Sequence, residues 1–176
     1  MRKEKVNKGI ILAAGVGDRL GSLTAIRPKV LLSVNDKEQL IRYPIEALAA
    51  AGVSDIAIVV GYLGDSVIEA LGNGGDFGVR LQYVYNSDYL GGNAISVYKA
   101  REWVQEEPAI LCMGDHVIDG EIVKRLLDRQ VFHETLCRLS SPINSSWLSP
   151  FKICPKPLTF AHKLFANSSP DKTSGA

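Results

Sequence analysis

The chain has 176 residues, 46% of them hydrophobic and 22% charged, which is enough length and apolar content for one globular domain with a real core. Its formal net charge of +1 leaves no basic surplus to displace counterions, so nucleic-acid binding by bulk electrostatics is disfavoured and a small substrate held by local charges is expected. Cys112, Cys137 and Cys154 are odd in number and lack metal-type spacing, and no run of about 18 apolar residues occurs; free thiols, no membrane span and a cytoplasmic protein are the expectations.

The first element is a buried strand over 9–14, from its unbroken apolar run. Residues 38–51 carry Leu40, Ile41, Ile45, Leu48 and Ala49 at helical spacing, with Gly52 as a stop. A second buried strand covers 55–60, followed by a short helix over 65–71 ended by Gly72. The third strand spans 79–85 and the third helix 94–104. A fourth strand over 109–113 leads to a helix from about 120 to 129. Strands alternating with helices imply right-handed crossovers and a doubly wound, mostly parallel sheet. The fold class is α/β.

The pattern changes near residue 130. Residues 131–176 hold eight serines, five prolines and five basic residues against two acidic ones, Glu134 and Asp171. The expected division is therefore a partial nucleotide-binding domain over 1–130 and an atypical tail over 131–176. That tail reads either as a disordered or partner-bound segment, or as foreign to the fold, as after a reading-frame shift.

The stretch most suggestive of chemistry is LAAGVGDRLGSLTAIRPK, residues 12–29. In a parallel α/β sheet, ligands bind beyond the C-terminal ends of the strands, where this loop is expected. Gly15, Gly17 and Gly21 let backbone N–H groups approach phosphate oxygens, while Arg19 and Lys29 supply positive charge. A flexible strand-to-helix turn with solvated charges is the plain alternative. The spacing is neither G-x-x-x-x-G-K-[ST] nor G-x-G-x-x-G, which removes a Walker loop and the dinucleotide fingerprint of hydride transfer.

The stretch Leu12-Ala13-Ala14-Gly15-Val16-Gly17-Asp18-Arg19, with Pro28-Lys29 ten residues on, resembles the opening of the sugar-phosphate nucleotidyltransferases. Asp18 departs mildly, standing where many members have a small or hydroxyl residue. The resemblance implies a Rossmann-like fold in which the loop wraps a nucleoside triphosphate and Arg19 and Lys29 stabilise phosphate charge. A second match is Cys112-Met113-Gly114-Asp115-His116, where the family's aspartate binds Mg²⁺. A carboxylate at a strand's C-terminal end also suits a hard cation on physical grounds, although a turn or N-cap aspartate is the alternative. His116 after Gly-Asp resembles the inositol-1-phosphate cytidylyltransferase branch, with a plain turn histidine as the equal alternative.

The third region runs from Tyr85 to Ser96. By resemblance, Asn86 would contact the base with its side chain and Gly92 with its backbone; an ordinary loop with Asn93 as helix N-cap is the other reading. Together these matches imply a Mg²⁺-dependent transferase joining a nucleoside triphosphate to a sugar-1-phosphate or alcohol phosphate, such as inositol-1-phosphate or phosphocholine. CTP is favoured over dTTP or UTP. A nucleotide-binding regulatory subunit or an inactive fragment is the rival expectation, because the resemblance covers roughly 8–130 and residues 131–176 offer no second metal-binding aspartate or acceptor pocket. A homo-oligomer is compatible with either.

Overall fold

The computed structural model describes residues 5–34, 38–105 and 107–128. The tail expected over 131–176 lies outside the described residues. The central sheet has strands β1 (Lys8–Ala13), β4 (Asp55–Val60), β5 (Arg80–Tyr85) and β6 (Ala109–Met113) in the order β5-β4-β1-β6, every pair parallel. A small antiparallel ribbon pairs β2 (Ser33–Val34) with β3 (Glu38–Gln39). Helices α1 (Arg42–Ala50), α2 (Gly64–Leu71), α3 (Asn93–Lys99), α4 (Arg101–Val104) and α5 (Gly120–Asp128) complete the regular elements. The parallel sheet and alternating helices match the α/β expectation.

Alternation along the strands builds two apolar layers. Ile11, Ala13, Ile56, Ile58, Val60, Ile110 and Cys112 pack with Ile45 and Leu48 of α1, Val67 and Leu71 of α2, and Val123 of α5. Ile10, Leu12, Ala14 and Val59 face the other way, against Val97 of α3 and Val104 of α4. Ile11, Ile45, Ile56 and Ile58 are completely buried, each worth roughly 1.5–3 kcal/mol relative to exposure. Trp103 also packs in the second layer. Lys8 Nζ lies 5.2 Å from the Trp103 ring centroid and donates to the carbonyls of Trp103 and Val104 at the end of α4, pinning that helix to the start of β1.

Two helix boundaries differ from expectation. The first helix starts at Arg42 rather than Glu38, because Glu38 and Gln39 pair with Val34 and Ser33, and the Leu40 N–H donates to the Leu32 carbonyl. Tertiary pairing overrides the helical spacing there. The helix expected over 94–104 is two segments, α3 and α4, meeting at the fully buried Ala100.

Cys112 sits in the first layer, and burial pushes its thiol from 9.0 up to about 12. An unfolded chain ionises this thiol first, so its contribution is intact below pH 9.0 and is lost as pH rises toward about 12. Stability should therefore fall by up to about 1.4 kcal/mol per pH unit in that window. Denaturant titrations should show a steeper decline in wild type than in Cys112→Ala, where a shallower slope remains because burial raises the pKa of the Tyr83 hydroxyl and the hydrogen bond to Asp65 raises that of Tyr85.

Candidate functional site

Sheet topology locates the site. The chain moves outward from β1 to β4 and β5 with α1 and α2 on one layer, then returns through α3 and α4 on the opposite layer to β6, on the far side of β1. Strand order thus reverses between β1 and β6, and a crevice opens beyond their C-terminal ends. A cleft of about 250 Å³ lies there. Leu12, Ala14, Gly15 and Gly17 form one wall, and Met113 and Asp115 come from the end of β6. Lys29 and Val30 line it beside the loop, while Tyr89, Asn93 and Ser96 close the side nearest α3.

The glycine loop has a built shape. Gly17 has φ +78°, and a Cβ there would meet Thr24 Cγ2 at 3.0 Å and Lys29 Cβ at 3.1 Å, so both conformation and space call for glycine. Thr24, 3% exposed, donates its hydroxyl to the Gly17 and Gly21 carbonyls, each at 3.2 Å. The Tyr62 hydroxyl donates to the Ala25 carbonyl and the Tyr62 N–H to that of Ala14, fastening the loop to the end of β4. Sequence alone does not single out Thr24; a lone threonine between Leu23 and Ala25 carries no signal until its carbonyl partners are known.

Lys29 follows the buried Pro28 at the start of a short 3₁₀ turn over Lys29–Leu31. The Ile41 N–H donates to the Val30 carbonyl at 2.9 Å, anchoring that turn. Asp115 reaches the cleft because the Gly114 N–H bonds to the Leu12 carbonyl at 2.9 Å, an approach so close that a Cβ on Gly114 would meet that oxygen at 2.9 Å. Lys29 Nζ and Asp115 Oδ2 then stand 2.7 Å apart, although 86 residues separate them in the chain. The other carboxylate oxygen, Asp115 Oδ1, is buried without a hydrogen-bond partner among the described residues. His116 Nε2 is 3.9 Å from it, too far to donate.

The remaining expected residues divide. Ala13 faces the layer opposite the cleft, as strand alternation requires. Arg19 is exposed on the 3₁₀ segment over Asp18–Thr24 and does not line the cleft. Gly92 is exposed with φ +93° and is itself the residue preceding α3, so Asn93 begins the helix without acting as a side-chain cap. Asn86 is 1% exposed and absent from the cleft wall. Its Oδ1 accepts the Asp88 N–H at 2.9 Å, and its Nδ2 donates to Ser96 Oγ at 3.0 Å. Both ends of the amide expected to contact a base are thus engaged within the protein.

Residues 8–137 match the nucleotidyl transferase family. The chain belongs to that family. This chain is 36% identical over 115 residues to a glucose-1-phosphate thymidylyltransferase of Streptomyces griseus, covering 65% of this chain and 32% of that protein. It is 45% identical over 132 residues to a choline-phosphate cytidylyltransferase of Streptococcus pneumoniae, covering 74% of this chain and 50% of that one. The solved inositol-1-phosphate CTP transferase of T. maritima superposes with a TM-score of 0.53 at 34% identity, over 65% of this chain and 45% of that one. The chain therefore spans between about a third and a half of the length of these relatives.

Removing the Thr24 hydroxyl tests the loop's construction. Thr24→Val should lower stability by about 1 kcal/mol and speed amide hydrogen exchange at Leu20 and Gly21. Thermal melts and exchange mass spectrometry would check both; unchanged exchange would show that the loop holds its shape without Thr24.

Proposed function

We propose that this chain binds a nucleoside triphosphate in the cleft between β1 and β6 and transfers its nucleotidyl group to a phosphomonoester, releasing pyrophosphate. The observation that carries the reading is the convergence of Gly15, Gly17, Lys29 and Asp115 on one cleft, with Lys29 and Asp115 in direct contact. Loop N–H groups and a lysine suit phosphate oxygens. The carboxylate suits a divalent cation shared with those oxygens.

Mg²⁺ fits this donor set. Its sites commonly use one or two carboxylates plus substrate phosphates, and Asp115 Oδ1 is a buried, unpartnered acceptor. Among the described residues no group of three or more His, Cys, Asp or Glu side chains forms a separate cage. When bound, the ion would neutralise triphosphate charge.

The protein's own part is alignment. A phosphomonoester oxygen attacks the α-phosphorus, the bond to the bridging oxygen breaks, and pyrophosphate departs with that electron pair. The attacking oxygen is already anionic, so no general base is required. Lys29 and the loop N–H groups stabilise charge developing on the phosphate oxygens. Arg19, exposed and without a partner among the described residues, is free to swing onto a phosphate.

CTP is the favoured nucleotide, with dTTP and UTP next, and a sugar-1-phosphate or an alcohol phosphate such as inositol-1-phosphate or phosphocholine is the acceptor. Support comes from the two cytidylyl-transferring relatives and from the Gly114-Asp115-His116 sequence; the thymidylyltransferase relative keeps dTTP in view. A second reading, nucleotide binding without turnover, is favoured by one observation: Asp115 is the only carboxylate lining the cleft among the described residues.

The two readings separate in one experiment. Pyrophosphate release should be measured with Mg²⁺, each of CTP, dTTP and UTP, and a panel of phosphomonoesters, beside nucleotide affinity. Turnover is expected with at least one pair and should fall about 100-fold or more in Asp115→Asn and Lys29→Met. Tight nucleotide binding without release would establish the second reading, and neither binding nor release would defeat both.

A further inference from the structure

The charged end of the cleft holds an ion pair whose two members suit different parts of a ligand. Lys29 Nζ lies 2.7 Å from Asp115 Oδ2, with 38% of the lysine side chain and 24% of the aspartate side chain exposed. Among the described residues Asp115 is the one carboxylate that Lys29 pairs with. As a unit the pair is neutral, so it presents no net charge to draw a free cation from solvent.

Asp115 Oδ1 has no hydrogen-bond partner among the described residues, but it is buried. An ion entering from the cleft therefore approaches Oδ2 first, and there it meets the ammonium group. A divalent cation needs several oxygen ligands, and a like charge at hydrogen-bond distance from the shared carboxylate opposes it. Lys29 thus stands in a cation's place. The glycine loop adjoins the same lysine: a Cβ on Gly17 would meet Lys29 Cβ at 3.1 Å. Phosphate oxygens seated on that loop come within reach of Nζ, whose flexible stem lets it turn from one anion to another.

Resting on the reading that the cleft holds a nucleoside triphosphate, we propose that Lys29 is an exchangeable counter-ion of Asp115 that makes cation uptake conditional on the triphosphate. Before the nucleotide enters, the ammonium holds Oδ2 and keeps a divalent ion out. A triphosphate offers that ammonium a more highly charged partner. Lys29 transfers to phosphate oxygens, and the carboxylate is released to the cation that accompanies them. No covalent bond forms or breaks in the exchange. By linkage, nucleotide and cation each raise the other's affinity, and Lys29 carries part of that coupling.

Mn²⁺ uptake, read by electron paramagnetic resonance without nucleotide, tests the exchange with no need for turnover. Wild type and Asp115→Asn should bind Mn²⁺ within about twofold of one another, because Lys29 already denies the carboxylate to the ion. Lys29→Met should bind it about tenfold more tightly than wild type. Lys29→Arg, which keeps the charge, should not, and adding Asp115→Asn to Lys29→Met should abolish the gain; thermal melts would confirm that each variant folds. Lys29→Met binding Mn²⁺ no more tightly than wild type would overturn the exchange and leave nucleotide binding standing. Weaker uptake in Asp115→Asn than in wild type would also overturn it, and that comparison needs no change at Lys29. Equilibrium dialysis of CTP with Mn²⁺ on wild type examines the underlying reading separately. Absence of CTP binding there would overturn the nucleotide reading and the triphosphate trigger together.

Discussion

The site depends on β1 running between β4 and β6 with all three strands parallel. Parallel pairing brings their C-terminal ends to one edge of the sheet, so the glycine loop after β1 and the aspartate after β6 must emerge side by side. The tightest expression of this constraint is the Gly114 N–H against the Leu12 carbonyl, which extends the β1–β6 pairing by one more bond. Nothing larger than glycine leaves that oxygen undisturbed. Asp115 is consequently delivered to Lys29 by backbone geometry, before any side-chain preference acts.

Charge placement follows from the same frame. Lys29 neutralises one oxygen of Asp115, while the other has no hydrogen-bond partner among the described residues. The loop opposite is equally committed: the Thr24 hydroxyl bonds the Gly17 and Gly21 carbonyls and the Tyr62 hydroxyl bonds that of Ala25. The charged end of the cleft therefore owes its shape to glycines and to a buried threonine, and its chemistry to two side chains.

The helical return on the opposite layer gives the cleft a further side, lined by Tyr89, Asn93 and Ser96. Residues 86–96 leave β5 and enter α3 in a segment held by Asn86, whose amide bonds at both ends. The cleft thus takes side chains from two parts of the fold, Lys29 and Asp115 beside the strand ends and Tyr89, Asn93 and Ser96 from the segment that enters α3. Inserting a kink at Ala100 shortens α3 and lets α4 turn back toward Lys8.

Much of this was present in the sequence. The strand runs, the Leu12–Arg19 glycine motif with Pro28-Lys29, and Gly114-Asp115 are local patterns, and local patterns depend on backbone sterics and burial that a short window of residues already encodes. The family and the parallel α/β fold followed from them. Three features did not: the β2–β3 pairing that delays α1, the clasp of Thr24 on the loop, and the inward commitment of Asn86 that brings Ser96 to the cleft. Each is a contact between residues whose types are unremarkable alone, and a polar side chain becomes a donor, an acceptor or a spent partner only through what the fold places against it. The sequence by itself determined which chemistry was available. The tertiary structure decided which atoms were free to perform it, because hydrogen bonding is settled by geometry between distant segments.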